Sequence, residues 1–242
     1  MRIVRISLLA AGAAAAAACG NSSSGPGAGF ECLGKPLPTT APATIHVAGF
    51  TRQNALSPTA LQTASVRAFK SSDTTTALDT TSSDGSGHYA LSIATGGAPV
   101  DGYLRVTKSG YIPTYAFPAV PLAADDSVNV LVITSTELNL LAGAVGESPT
   151  PDDGFLGIVV TDCDGNPLTG ATVSSNPPGK IHYNAAGAPS QSATSTSTDG
   201  VAYILNVAAG NVTIFGTAKG RALRQHVVIA PANAVTLTQI QP

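Results

Sequence analysis

At 242 residues, with 12 Lys plus Arg against 14 Asp plus Glu, the chain offers no cationic stripe to neutralise phosphates, which argues against a nucleic-acid partner. Trp is absent and aromatic residues make up only 5%, so stacking of sugars or bases has few platforms. The four histidines, His46, His88, His182 and His226, stand singly, without the His-Glu-x-x-His or His-x-x-Glu spacing of a zinc hydrolase.

The first stretch, MRIVRISLLAAGAAAAAACG, sets Arg2 and Arg5 before an apolar run from Ile6 to Ala18 that is too short for a comfortable membrane span. Residues 1–18 therefore read as an export signal. Its close, Ala-Ala-Ala-Cys, resembles the lipobox of bacterial lipoproteins, with Ala16 where that family usually has Leu. The resemblance implies that Cys19 becomes the mature N-terminus and carries acyl chains, holding the protein on a membrane of the bacterial cell envelope. Gly20 in place of an Asp retention signal points to the outer membrane. Residues 19–43, rich in Gly, Ser, Pro and Thr, have too few large apolar side chains to offset backbone entropy and read as a flexible tether.

The next segment, residues 44–134, opens with TIHVAGF and continues to ASVRAFKSS. In DTTSSDGSGHYALSI an Asp-Gly turn precedes an alternating strand that puts Tyr89, Leu91 and Ile93 on one face. YLRVTKSGYIP and the β-branched SVNVLVIT follow. Residues 135–153 begin with a capping box, in which Thr134 and Glu137 satisfy each other's backbone. A short helix should start there, with Leu138, Leu141 and Val145 as its apolar stripe and Gly146 as its stop. Residues 154–242 repeat the plan of the first half. GFLGIVV leads through Asp164-Gly165-Asn166-Pro167 to GATVSS, and STSTDGVAYILNV predicts Tyr203, Leu205 and Val207 on one face.

The second half carries Asp-x-Asp-Gly-x-Pro-Leu-x-Gly-Ala-x-Val from Asp162 to Val173, Thr-x-x-Asp-Gly from Thr196 to Gly200, and Asn-Val-x-x-Gly from Asn206 to Gly210. This order resembles the carboxypeptidase regulatory-like domains. The first half keeps Ala64-x-Val66, Asp84 to Tyr89 and Gly110-Tyr-x-Pro113. The resemblance implies an all-β protein of two seven-stranded, prealbumin-like antiparallel sandwiches in tandem, joined by a short helix-containing linker. It carries over no catalytic residue, because the matched positions set turns and strands.

The loop at Asp162 lacks the alternating acids and twelfth-position Glu of a calcium loop, and Ala171 stands where a phosphate loop needs Lys. Intradiol dioxygenases, which share this kind of sandwich, hold iron with two Tyr and two His. His182, Tyr183, Tyr203 and His226 are the residues that could do so here, although the paired His-x-His is absent. Cys32 and Cys163 are expected to form a disulfide in an exported chain, tying the tether to the second half. Tyr103 and Arg105 should share the outward face of one strand, opposite Leu104 and Val106, with Tyr111 and Tyr115 on the adjoining turn. These four are the candidate ligand contacts, for a glycan or an envelope protein.

The sequence thus points to a non-enzymatic, cofactor-free binding or assembly module at the cell envelope. An iron enzyme of the dioxygenase type and a purely structural spacer are the alternatives.

Overall fold

The computed structural model describes residues 27–242, so the export signal 1–18, Cys19 and the first part of the tether lie outside the described residues. The first half runs β1 (Thr44–Gln53), β2 (Thr59–Ala60), β3 (Ser65–Lys70), β4 (Asp73–Ser82), β5 (His88–Ala94), β6 (Gly102–Thr107), β7 (Thr114–Phe117), β8 (Asp126–Ser127) and β9 (Val130–Leu131). The helix α1 (Ser135–Ala144) follows. The second half runs β10 (Asp153–Val160), β11 (Thr172–Asn176), β12 (Lys180–Ala185), β13 (Ala188–Ser190), β14 (Val201–Ala208), β15 (Gly210–Ala218), β16 (Arg221–Ala222), β17 (His226–Ala230) and β18 (Val235–Ile240).

Local chemistry explains these elements. Asp84 accepts hydrogen bonds from the Ser86 amide (2.8 Å), the Ser86 hydroxyl (2.7 Å) and the His88 amide (3.0 Å), which closes the turn before β5. Strand β5 then alternates as expected, burying Tyr89, Leu91 and Ile93. The capping box of α1 forms in full, with the Thr134 hydroxyl accepting from the Glu137 amide and Glu137 accepting from the Thr134 amide. In β14 the expected alternation breaks. Asn206 adopts φ 55°, the register against β10 shifts, and Val207 joins Ala202 and Ile204 in the interior instead of sharing the face of Tyr203 and Leu205. The Asn206 side chain spans the chain crossing, accepting from the Thr150 amide and donating to the Ser148 carbonyl, both at 2.9 Å.

Among the described residues the strands form sheets of five, nine and four. The nine-stranded sheet, ordered β13-β12-β14-β10-β18-β7-β6-β3-β4, runs through both halves. Its junction is the parallel pairing of β18 with β7, from Val235↔Thr114 to Thr238↔Phe117. The halves are therefore not two separate stacks in tandem: the last strand of the chain joins the sheet of the second half to that of the first.

The two cores lie on opposite faces of this sheet. Ala68, Leu104 and Ala116 are cross-strand neighbours that pack with Ile45, Val47, Leu91 and Ile93 of the β1–β5 layer. The register carries Ala116 to Leu237 and on to Gly157, on the outer side of the second half. The opposite face carries Phe69, Tyr103 and Phe117, then Thr238 and Ile158, and there Leu156, Ile158 and Ile204 pack with Val173, Val212, Ile214 and Val228 of the β11–β15–β17 layer. Helix α1 covers one end of the remaining outer face, where Ala142 and Val145 meet Phe155, Leu205 and Val235.

The tether departs from expectation over its described part. Phe30 is 1% exposed and sits in the core of the second half, with the Lys219 ammonium 5.4 Å from its ring centroid. Cys32 and Cys163 are joined in a disulfide, the Cys163 amide donates to the Gly29 carbonyl (2.9 Å), and Arg224 donates to the Lys35 carbonyl (3.0 Å). A large aromatic side chain, a covalent bond and hydrogen bonds at Gly29, Lys35, Ala41 and Ala43 together hold a segment whose average composition is that of a linker.

Replacing both Cys32 and Cys163 by Ser opens a loop closed over a sequence separation of 131. The chain-entropy model gives a loss of about 5 kcal/mol for that length. Phe30→Ala should cost about 3–5 kcal/mol by emptying a core site. Denaturant unfolding of each variant measures both losses.

Candidate functional site

Among the described residues a groove of about 660 Å³ runs between the two halves. Its floor is the uncovered outer face of the second half, where Val159 pairs with Val201, Gly157 pairs with Tyr203, and Leu237 and Gln239 extend the same rows. One wall is the segment from Pro118 to Leu122 together with Val128, Asn129 and Leu131 of the first half. Leu141 of α1 stands at one end, beside Phe155 and Val235. Asn184, Gly187 and Pro189 of the β12–β13 hairpin lie at the other, with Gln239 and Gln241.

The floor owes its shape to small residues on a wide sheet. Gly157 lets the Leu237 side chain cross it: a Cβ at Gly157 would lie 2.9 Å from Leu237 Cδ2. Polar groups lie on both sides, Asp126, Ser127 and Asn129 on the first half and Asn184 and Tyr203 on the second. The Tyr203 hydroxyl donates to Asn184 Oδ1 (2.8 Å), and Asn184 Nδ2 donates to Asp199 (2.6 Å). Burial pushes the Tyr203 hydroxyl up to about 12, with the Asn184 hydrogen bond opposing and the Asp199 charge adding to the rise. Desolvation works against the Asp199 carboxylate, but hydrogen bonds from Asn184, Val201 and Ser197 outweigh it and keep its pKa below 3.8. Tyr203 is thus a neutral donor and Asp199 a fixed anion that orients Asn184. Neither is poised to exchange a proton near neutral pH.

The four candidate contacts do not form one exposed patch. Tyr103 and Arg105 do share a face opposite Leu104 and Val106, but Tyr103 is only 4% exposed. It stacks between Phe69 (5.6 Å between centroids) and Phe117 (4.9 Å), with Tyr115 at 5.6 Å. The Arg105 and Arg67 guanidinium groups lie over the Phe69 ring, 4.7 and 5.4 Å from its centroid. Tyr111 lies elsewhere, packing against the core of the first half and bonded through its hydroxyl to Gln53. Neighbouring rings and two guanidinium groups pack over this face of the first half, so alternation identified the face and not its exposure.

The four residues weighed as iron ligands are likewise dispersed. His182 and Tyr203 are cross-strand neighbours on the outer face, and His182 Nε2 lies 3.4 Å from Glu147. Tyr183 points into the core, where its hydroxyl accepts from the Val173 amide (3.0 Å). His226 sits on the other sheet layer, edge-on to Phe117. Among the described residues no group of three or more His, Cys, Asp or Glu could hold a metal ion. The carboxylate of Asp162 is engaged by its own turn, accepting from the amides of Asp164 (2.9 Å) and Asn166 (2.8 Å) and from the Asn166 side chain (3.1 Å).

The groove itself escaped the sequence reading. Its floor residues belong to different strands, and only the β18–β7 junction sets the opposite wall beside them.

His226 Nδ1 lies 3.2 Å from the Gln239 carbonyl and 3.0 Å from the Thr238 hydroxyl, behind the groove floor. Burial lowers its pKa below 6.5, while the Gln239 carbonyl and the more distant Asp101 oppose the shift. The unfolded chain therefore binds the proton more tightly, so stability should fall as pH drops through 6.5 and level off below the folded-state pKa. Urea unfolding across this range should show that decline in the natural chain and a shallower one in His226→Gln.

No family model matches the chain, and no curated protein matches it. Solved structures that match the chain include the shaft pilin SpaA of Lactobacillus rhamnosus GG, at 12% identity and TM-score 0.27, covering 82% of this chain and 98% of that one. The major pilin subunit BcpA of Bacillus cereus gives 12% identity and TM-score 0.27, over 82% and 99%. The Bacillus anthracis TIE protein gives 13% and 0.26, over 81% and 33%. Likeness at this level makes no statement about what the present chain does. No described helix is long and apolar enough to cross a membrane.

Proposed function

We propose that the protein is an exported, non-catalytic binding module of the cell envelope, anchored through Cys19, and that the groove between its halves holds the ligand. Each half is read as a variant of the carboxypeptidase regulatory-like sandwich. The observation that carries the proposal is the groove: about 660 Å³, largely apolar, with hydrogen-bonding groups from both halves and Asp126 as the one charged side chain lining it. Such concavity and polarity are what small-ligand sites share. The disulfide at Cys32 supports an extracytoplasmic location, where such bonds persist.

Val159 and Val201 are half-buried on the groove floor. Val159→Trp should fill the floor without entering either core. The test is a pull-down of the mature protein from envelope extract beside a glycan array, comparing the natural chain with Val159→Trp and with Arg105→Ala on the opposite face. A species captured by the natural chain and by Arg105→Ala, and lost at least tenfold in Val159→Trp, supports the groove. Equal capture by the natural chain and Val159→Trp overturns it.

A further inference from the structure

We infer that the groove takes a single long alkyl chain of a membrane lipid, entering from the end lined by Asn184, Gln239 and Gln241. This deepens the binding reading above and rests on it. The first argument is length. The floor follows β18 from Val235 to Gln241, six residue steps, or about 20 Å at the rise of a strand. One leaflet of a bilayer is about 15 Å of hydrocarbon, so the trough suits one extended acyl chain.

The second argument is the gradient of polarity. The end under α1 is lined by Ile133, Leu141, Phe155 and Val235, which belong to a continuous apolar cluster. The other end carries the amides of Asn184, Gln239 and Gln241. Asp126 is the only charged side chain among the lining residues. A groove without a cation has nothing to recruit an anionic ligand deep inside, and a lining in which apolar side chains outnumber the polar ones, Asp126, Ser127 and Asn129 included, gives a sugar few partners. An apolar chain with a polar head at the amide end satisfies both halves of the groove.

The third argument is position. Cys32 Sγ lies 3.5 Å from the carbonyl of Pro242, the residue after Gln241. The disulfide therefore fixes the N-terminal segment beside the amide-lined end. Gly27, the first described residue, is eight positions from Cys19, a reach of at most about 29 Å. A protein anchored at Cys19 would hold the polar mouth of its groove close to the lipid surface.

The test uses the full mature chain in vesicles of phosphatidylethanolamine and phosphatidylglycerol that contain a phospholipid with a diazirine in its acyl chain. Irradiation followed by peptide mapping should place crosslinks on the strands carrying Gly157, Val159, Val201 and Leu237. Val159→Trp should lower their yield at least tenfold while its thermal unfolding stays that of the natural chain, and free octadecanoic acid should compete in the natural chain. Val201→Trp serves if Val159→Trp does not fold. Crosslinks confined to the N-terminal peptide, or none, overturn the alkyl-chain inference. If Val159→Trp nonetheless loses another captured species, the groove still binds something else; if no capture depends on Val159, the binding reading falls as well.

Discussion

The parallel pairing of β18 with β7 is the constraint on which the remaining architecture depends. Parallel strands cannot be joined by a tight turn, and here the partners come from opposite ends of the chain, Thr114–Phe117 and Val235–Thr238. The junction is buried: Thr114 and Thr236 are fully enclosed and Thr238 is 5% exposed. The Thr236 hydroxyl donates to the Ile229 carbonyl at 2.7 Å, so this buried polar group has a partner. Removing β18 would leave unpaired ladder edges on both β7 and β10, each surrounded by apolar residues. The halves are thus bound by backbone hydrogen bonds as well as by packing, unlike the soft interface usual between domains on a linker.

Because the sheet is continuous and each half covers a different face, two surfaces remain that neither sandwich layer closes. On the first half it is filled from within, by Phe69, Tyr103 and Phe117 stacked under two arginines. On the second it is only partly filled, by α1, and the groove is what remains. The difference follows from residue size at equivalent positions. Aromatic rings cover the first face, whereas Gly157, Val159 and Val201 leave depth on the second. Since the wall and floor belong to one hydrogen-bonded sheet and its attached layer, the groove has a fixed width.

Much of this was legible in the sequence at the level of single elements. The turn at Asp84, the alternating β5, the capping box at Thr134 and the pairing of Cys32 with Cys163 each rest on local or compositional rules, and each is present. What could not be read was long-range. Period-two alternation tells which residues share a face, and it did so for Tyr103 and Arg105. It does not tell what packs over that face, and where aromatic neighbours fill it the outward side of a strand does not meet water. The Asn206 bulge was hidden for a related reason, since a left-handed residue inside a strand has no sequence mark beyond the tolerance of Asn for that conformation. The role of Phe30 was missed because composition averages over a segment and docking depends on one side chain.

The same architecture bears on the iron-enzyme alternative. For His182, Tyr183, Tyr203 and His226 to converge, side chains on opposite faces of the nine-stranded sheet would have to meet through its backbone. Tyr203 and His182 face outward, whereas Tyr183 and His226 lie toward the core of the second half. A hinge between the halves would not bring them together, because Tyr183 and Tyr203 lie on adjacent paired strands and their opposition is set by the pleat. Tyr203 is held neutral by burial, against the pull of its Asn184 hydrogen bond, and Asp199 is held ionised by hydrogen bonds from Asn184, Val201 and Ser197. What this fold places along the groove is apolar contact and hydrogen-bonding groups, with Asp126 as the single charged side chain among the lining residues.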